Sequence, residues 1–164
     1  MPTEHRSAVD SFGIKPIWQS HVFPEIPYFD RPLGDGLPPL MNFKRDRKGF
    51  ELASLLPIGH RCLVYVTGVQ LFIWAIELTG SLQDGERARE RHRVPLSAHV
   101  PFNLYRPIRF VARVDPWDRG PTRELVCRMS GVPFARMEGD SHLSLTRAQY
   151  ESMYHSIAWT DQSA

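Results

Sequence analysis

FELASLLPIGHRCLVYVTGVQLFIWAIELT, residues 50–79, is the stretch on which the fold turns. Phe50, Leu52, Ala53, Leu55 and Leu56 are spaced for a short helix that Pro57 ends. At no more than about two turns, such a helix persists only when packed against something. Pro57-Ile58-Gly59-His60 then reads as a turn. Cys62–Val66, β-branched and aromatic, reads as a strand, and Leu71–Thr79 as the next, joined through Thr67-Gly68-Val69-Gln70. By period two, Phe72, Trp74, Ile76 and Leu78 share one face and Leu71, Ile73 and Ala75 the other. Apolar residues on both faces require a sheet covered twice. A closed or half-closed barrel with a helix against it provides that cover; a flat surface sheet does not.

Working outward, residues 1–15 are polar and aperiodic, a flexible segment or an arm laid on the domain. Pro16 to Pro39 holds six of the chain's fourteen prolines among Trp18, Phe23, Tyr28 and Phe29. Proline cannot donate to a ladder, so an irregular wrapped segment is expected, with room for one short strand around Ile17–Phe23. Met41–Lys48 is locally basic. Ser81–Ala98 is polar and charged, a solvated excursion between strands. Leu104–Val114 reads as a strand with Ile108, Phe110, Ala112 and Val114 on one face and Arg109 and Arg113 on the other. Asp115–Pro121 is a turn. Periodicity leaves Glu124–Met129 open between strand and helix. Thr146 and Gln149 form a capping box, and Tyr150, Met153, Tyr154 and Ile157 make one apolar stripe, predicting a helix from Arg147 to about Ile157. The resulting division is an irregular Pro/aromatic-rich segment over 1–40, packed on or extending the domain, a domain over 41–159, and a flexible tail over 160–164.

The chain of 164 residues suits one domain with one core. Its formal net charge is only +2, so any basic footprint must be local. Cys62 and Cys127 sit in apolar runs without a C-x-x-C pair, which argues against a Cys-based zinc site. No secretory signal or run of 18 apolar residues is present, and a soluble, cytoplasmic protein without membrane contact is expected. G-x-S-x-G, a P-loop, G-x-G-x-x-G and H-E-x-x-H are all missing. The seven histidines show no ligand spacing; no metal, cofactor or catalytic residue is predicted.

Aromatics with basic neighbours point elsewhere. A single-stranded or flipped base is held by stacking and by hydrogen bonds to its edge, and its phosphates by Lys or Arg. Candidate stackers are Phe43, Tyr65, Trp74 and Tyr105. Candidate edge partners are Asn42, Thr67 and His142. Candidate phosphate contacts are Lys44, Arg45, Arg47, Lys48 and Arg106. Against each stands a plainer reading: core packing for Tyr65 and Trp74, a solvated loop for residues 44–48.

Several segments together resemble the EVE domain of the PUA-like superfamily. These are the short helix, the P-x-G-x-R turn of Pro57–Arg61, LVYVTG at Leu63–Gly68, ELTG at Glu77–Gly80, YRPIRF at Tyr105–Phe110, and LSLT at Leu143–Thr146 before a helix holding Gln149-Tyr150. The family's turn carries Gly-Asp where this chain has Gly59-His60. The resemblance spans roughly residues 45–158. It implies an α+β, mainly β architecture: a PUA-like pseudo-barrel of mixed strands with short helices outside, one of them C-terminal. It further implies a non-enzymatic module, related to YTH and ASCH domains, that holds a modified base of DNA or RNA in an aromatic pocket beside the barrel. Trp18 is the match for the aromatic of the family's opening strand. The alternatives are an ASCH-like enzyme or small-molecule binder, for which Lys44, Glu77 and His142 are the titratable candidates, and a protein-interaction subunit.

Overall fold

The computed structural model describes residues 10–17, 40–44, 51, 53–84, 102–133 and 142–162. Seven strands are present among them: β1 (Phe12–Ile17), β2 (Leu40–Lys44), β3 (Arg61–Val66), β4 (Leu71–Leu78), β5 (Gln83–Asp84), β6 (Phe102–Arg113) and β7 (Leu143–Leu145). Two α-helices follow the sheet's long strand and its last: α1 (Arg123–Ser130) and α2 (Arg147–His155). The strand order is β2-β6-β4-β3-β1-β7, with β5 also on β6. β1 runs parallel to β3, and every other pair is antiparallel. This is the expected α+β, mainly β pseudo-barrel of mixed strands with a C-terminal helix.

Two apolar layers flank the sheet. The inner one joins Ile17, Met41, Phe43, Cys62, Val64, Val66, Trp74, Ile76, Leu78 and Ile108, with Ala53 and Leu56 from the helical turn before Pro57. The outer one joins Phe12, Ile14, Leu63, Tyr65, Phe72, Ala75 and Ala112 to Val126 of α1 and to Tyr150, Met153 and Ile157 at α2. The sheet is therefore covered on both sides, as the doubly apolar strands demand.

β-Bulges correct the simple period-two reading. In β4 the register shifts opposite Val64/Tyr65, so Ile73 and Trp74 both enter the inner layer while Phe72 joins the outer. In β6 the shift opposite Ala75/Ile76 leaves Ile108 and Phe110 with the inner layer but sends Ala112 and Val114 to the outer. An extra residue on one strand reverses the facing of everything beyond it.

The N-terminal reading is corrected too. β1 lies at residues 12–17, where an arm was expected, and it is an inner strand of the sheet rather than an irregular cover. The strand expected at Ile17–Phe23 falls almost wholly outside the described residues. Residues 123–130 resolve as a helix, with the Thr122 hydroxyl accepting from the Leu125 amide and Gly131 closing it at φ 71°. α2 starts on the predicted capping box of Thr146 and Gln149. Among the described residues no helix is long and apolar enough to cross a membrane.

Candidate functional site

A cleft of about 540 Å³ opens on the outer face, where α2 meets the starts of β1 and β3, the end of β4 and residues 109–111 of β6. Arg61, Arg109 and Arg147 line it, with Glu77, Glu151, Phe12, Tyr150, Tyr154 and His155. Pairing places Arg61 opposite Glu77 and Glu77 opposite Arg109, so one carboxylate sits between two guanidinium groups. Arg61 Nε donates to Glu77 Oε1 at 3.2 Å, and Arg109 Nε to Oε2 at 2.5 Å. Arg147 Nε donates to Asp10 at 3.1 Å. Each arginine is thus held through Nε, which leaves the terminal NH₂ groups of the fork for another acceptor. The three side chains are 39, 40 and 47% exposed, so the ion pairs are anchors rather than large stabilisers. Burial pushes the Glu77 carboxyl up, but the hydrogen bonds from Arg109 and Arg61 outweigh it and hold Glu77 below its ordinary value.

An aromatic ladder forms the floor. Phe12 packs on Tyr150 at 4.8 Å, Tyr150 stacks on Tyr154 at 5.9 Å, and Tyr154 meets Trp159 at 5.2 Å between centroids. The Arg147 guanidinium lies 5.4 Å over the Phe12 ring, a cation–π contact. The Tyr150 hydroxyl is buried and has no hydrogen-bond partner among the described residues. Desolvation raises its pKa above the ordinary phenol value.

A second polar cluster lies across β1. His60 Nε2 is 3.1 Å from His142 Nε2, and Cys62 Sγ is 3.9 Å from the same atom. Ser11 Oγ is 2.6 Å from His60 Nδ1. Burial, then the charge of Arg106, lowers His60 to about 4. Burial, then His60 and Lys15, lowers His142 to about 3. Burial pushes the Cys62 thiol up to about 12 against the pull of Lys15 and Arg106. Burial thus favours the neutral thiol at Cys62 and the neutral imidazole at His60 and His142 while the cluster holds no ion.

The sequence-derived site residues do not converge on one pocket. Phe43 and Trp74 are buried in the inner layer, Trp74 edge-on to Phe110 at 5.3 Å. Tyr65 is buried in the outer layer against Phe72. Sheet backbone separates them, so they cannot stack on one base. The Thr67 hydroxyl donates to the Ile17 carbonyl at 3.1 Å, closing β1 to the hairpin turn. His142 belongs to the His/Cys cluster. Arg106 corrects the phosphate assignment: it is 3% exposed and donates to the carbonyls of Gly80, Ala53 and Leu56. Asn42, Lys44 and Tyr105 are placed only as backbone in β2 and β6, Asn42 opposite Tyr105. Trp18, Arg45, Arg47 and Lys48 lie outside the described residues.

Glu77, a titratable candidate from the sequence, lies in this cleft, but its partners Arg61 and Arg109, with Phe12, Tyr150, Tyr154 and Arg147, are not among the sequence-derived site residues. In the sequence pattern Arg109 falls on the strand face opposite the apolar residues, and the tyrosines fall on the helix's apolar stripe. The usable signal was opposite charge on neighbouring strands beside an aromatic helix face.

No protein-family model matches the sequence, and no curated protein matches it. Solved structures do share its fold. The YTH domain of Zygosaccharomyces rouxii MRB1 protein, in complex with N6-methyladenosine RNA, aligns with a TM-score of 0.54 at 12% identity over 94% of this chain and 91% of that one. Human THYN1 protein, in complex with 5-methylcytosine-containing DNA, aligns at 0.50 and 11% identity over 89% and 97%. A protein from Pseudomonas putida aligns at 0.50 and 8% identity over 88% and 98%. At such identities the likeness is one of fold.

Proposed function

We propose that this chain, with its PUA-like fold of the EVE/YTH type, is a non-enzymatic nucleic-acid-binding protein that holds a modified base beside the barrel. The observation that carries the reading is the cleft in which three half-exposed arginines surround an aromatic floor. Phosphates need cations with free donors, and a guanidinium fixed through Nε presents its remaining donors without a large loss of rotamer freedom. A base needs an aromatic face, which Tyr154 at the half-buried rim of the ladder supplies. The Tyr150 hydroxyl on the same floor, without a partner among the described residues, favours a ligand site, since buried polar groups ordinarily have partners. Support for a modified base comes from the two fold neighbours bound to methylated nucleic acid. One methyl buried on an apolar wall contributes about 0.8 kcal/mol, so hydrogen bonds to the base edge must add to the discrimination.

The test is fluorescence anisotropy with short DNA and RNA oligonucleotides, single- and double-stranded, with and without N6-methyladenine or 5-methylcytosine, across a salt series. Binding should weaken with salt, and Arg61→Ala, Arg109→Ala and Arg147→Ala should each make the log–log slope shallower by about 0.7–0.9 per lost phosphate contact. Micromolar protein at low salt that binds no oligonucleotide, or affinity that all three variants leave unchanged, defeats the proposal.

A further inference from the structure

The His/Cys cluster on the other side of the sheet edge has a chemistry of its own. His60 stands just before β3, Cys62 is its second residue, and His142 stands just before β7. β1 lies between β3 and β7, and Gly13 is its residue opposite both Cys62 and Ser144. A Cβ at Gly13 would lie 2.6 Å from His142 Nε2 and 2.7 Å from the Leu143 carbonyl oxygen. The absence of a side chain there is what lets the His142 imidazole reach across β1 to the cysteine of β3.

One ligand atom from each of the three side chains lies within 4.8 Å of the others. Metal–N and metal–S bonds of about 2.0–2.3 Å place neighbouring donors roughly 3.3–3.8 Å apart. The His60–His142 and Cys62–His142 separations of 3.1 and 3.9 Å fall just either side of that interval. Ser11 engages His60 through Nδ1, which fixes the ring and leaves Nε2 as the coordinating atom. The donors are two imidazoles and one sulfur with no carboxylate, a soft set. Lys15 is buried with its ammonium 5.1 Å over the Phe43 ring, and its charge and that of Arg106 act on Cys62. A thiolate with a monovalent ion adds no net charge beside those two cations; a divalent ion would leave one positive charge in excess in a largely buried site.

We propose that His60 Nε2, His142 Nε2 and the Cys62 thiolate bind one soft, thiophilic metal ion, with Cu(I) as the chemical class. Binding deprotonates the thiol, so one proton leaves for each ion bound. The proposal stands independently of the nucleic-acid reading, because its residues are not those of the cleft.

The experiment is an anaerobic titration of the reduced full-length chain with Cu(I) against a chromophoric Cu(I) chelator, with Zn(II) against a zinc indicator run in parallel. Stoichiometric Cu(I) uptake is expected, weakened at least about 100-fold by Cys62→Ser and by His142→Gln, about 10-fold by Ser11→Ala, and unchanged by Cys127→Ser. Metal-free variants are checked by circular dichroism. If the buried-site variants do not fold, X-ray absorption of the metal-loaded wild type decides, with one sulfur and two imidazole nitrogens expected around the ion. No Cu(I) uptake by folded wild type, Zn(II) held in preference to Cu(I), uptake that survives Cys62→Ser and His142→Gln, or an oxygen-dominated ligand shell overturns the proposal.

Discussion

Replacing Arg106 with Met tests whether a basic residue in an apparent base-binding strand is a phosphate contact or a clamp. Arg106 is 3% exposed, and its Nε reaches Gly80 O at 3.0 Å while Nη1 reaches Ala53 O at 3.2 Å and also Leu56 O. These bonds tie β6 to the helical turn before Pro57 and to the end of β4. Met keeps an unbranched apolar stem about as far as the Nε position but supplies no donor. The Ala53 carbonyl contact is buried, so losing its donor costs about 1–3 kcal/mol; the other two lie in part-buried surroundings where water can replace the lost donor. Relief of the guanidinium's own desolvation, which also lowers its pKa, offsets part of the loss. The net expectation is a destabilisation of about 1–2 kcal/mol. Urea unfolding of wild type and Arg106→Met measures it. Oligonucleotide affinity, corrected to equal folded fraction, should keep its salt slope. A loss below about 0.5 kcal/mol, or a slope shallower by one phosphate contact at unchanged stability, would refute the clamp argument.

Four further outcomes follow from the geometry. Gly13→Ala forces a Cβ into the His142 ring and the Leu143 carbonyl and should destabilise by about 1–3 kcal/mol, seen as a lower Tm with weakened amide protection at the β1–β7 ladder. Thr146→Ala removes half of the capping box and should cost about 1 kcal/mol in urea unfolding. Tyr150→Phe deletes a buried hydroxyl without a partner among the described residues and should leave stability unchanged or raise it by up to about 1 kcal/mol; a clear loss would reveal a bond to that hydroxyl. Glu77 has a folded pKa below its unfolded value, so its contribution is present above about pH 4.3 and is lost as pH falls through the folded value. Glu77→Gln should therefore be less stable than wild type at pH 7, by about 1 kcal/mol, with the gap closing in acid; a gap that persists at pH 2 would show that packing, not charge, sets it.

Much of the fold was legible because local signals agreed with it. The capping box at Thr146, the Pro57 stop, the 67–70 turn and the doubly apolar strands each have a local cause, and the structure contains all four. β1 was not legible, because Phe12–Ile17 contains a glycine, a lysine and a proline and shows no alternation a strand needs. Its place is set by parallel pairing to β3, a contact about fifty residues away in sequence. The cleft was hidden by a single bulge. Counting back from a symmetric 67–70 turn, with Val66 opposite Leu71, puts Arg61 opposite Ile76. The extra residue at Ile73 shifts the register, and Arg61 faces Glu77 instead. No propensity scale encodes that shift, yet it creates the Arg61–Glu77–Arg109 row.

The cleft and the His/Cys cluster share one backbone. Arg61 and Cys62 are consecutive in β3, and Phe12 and Gly13 are consecutive in β1, paired in that order. Because side chains alternate along a strand, Arg61 and Phe12 open onto the cleft while Cys62 and Gly13 serve the His/Cys cluster behind it. Arg61 and Phe12 of the cleft therefore share their two strands with Cys62 of the cluster and with the Gly13 that makes room for His142. α2 covers the outer layer at Tyr150 and Met153 but leaves the Arg61–Glu77–Arg109 row half-exposed at its flank. A charged row across three strands is unfavourable under a helix and stable beside one, where its guanidinium groups keep both their carboxylate and their water. Beside α2, Arg61 and Arg109 are held by Glu77 and Arg147 by Asp10, and the paired backbone of β3, β4 and β6 beneath Arg61, Glu77 and Arg109 fixes the row in place.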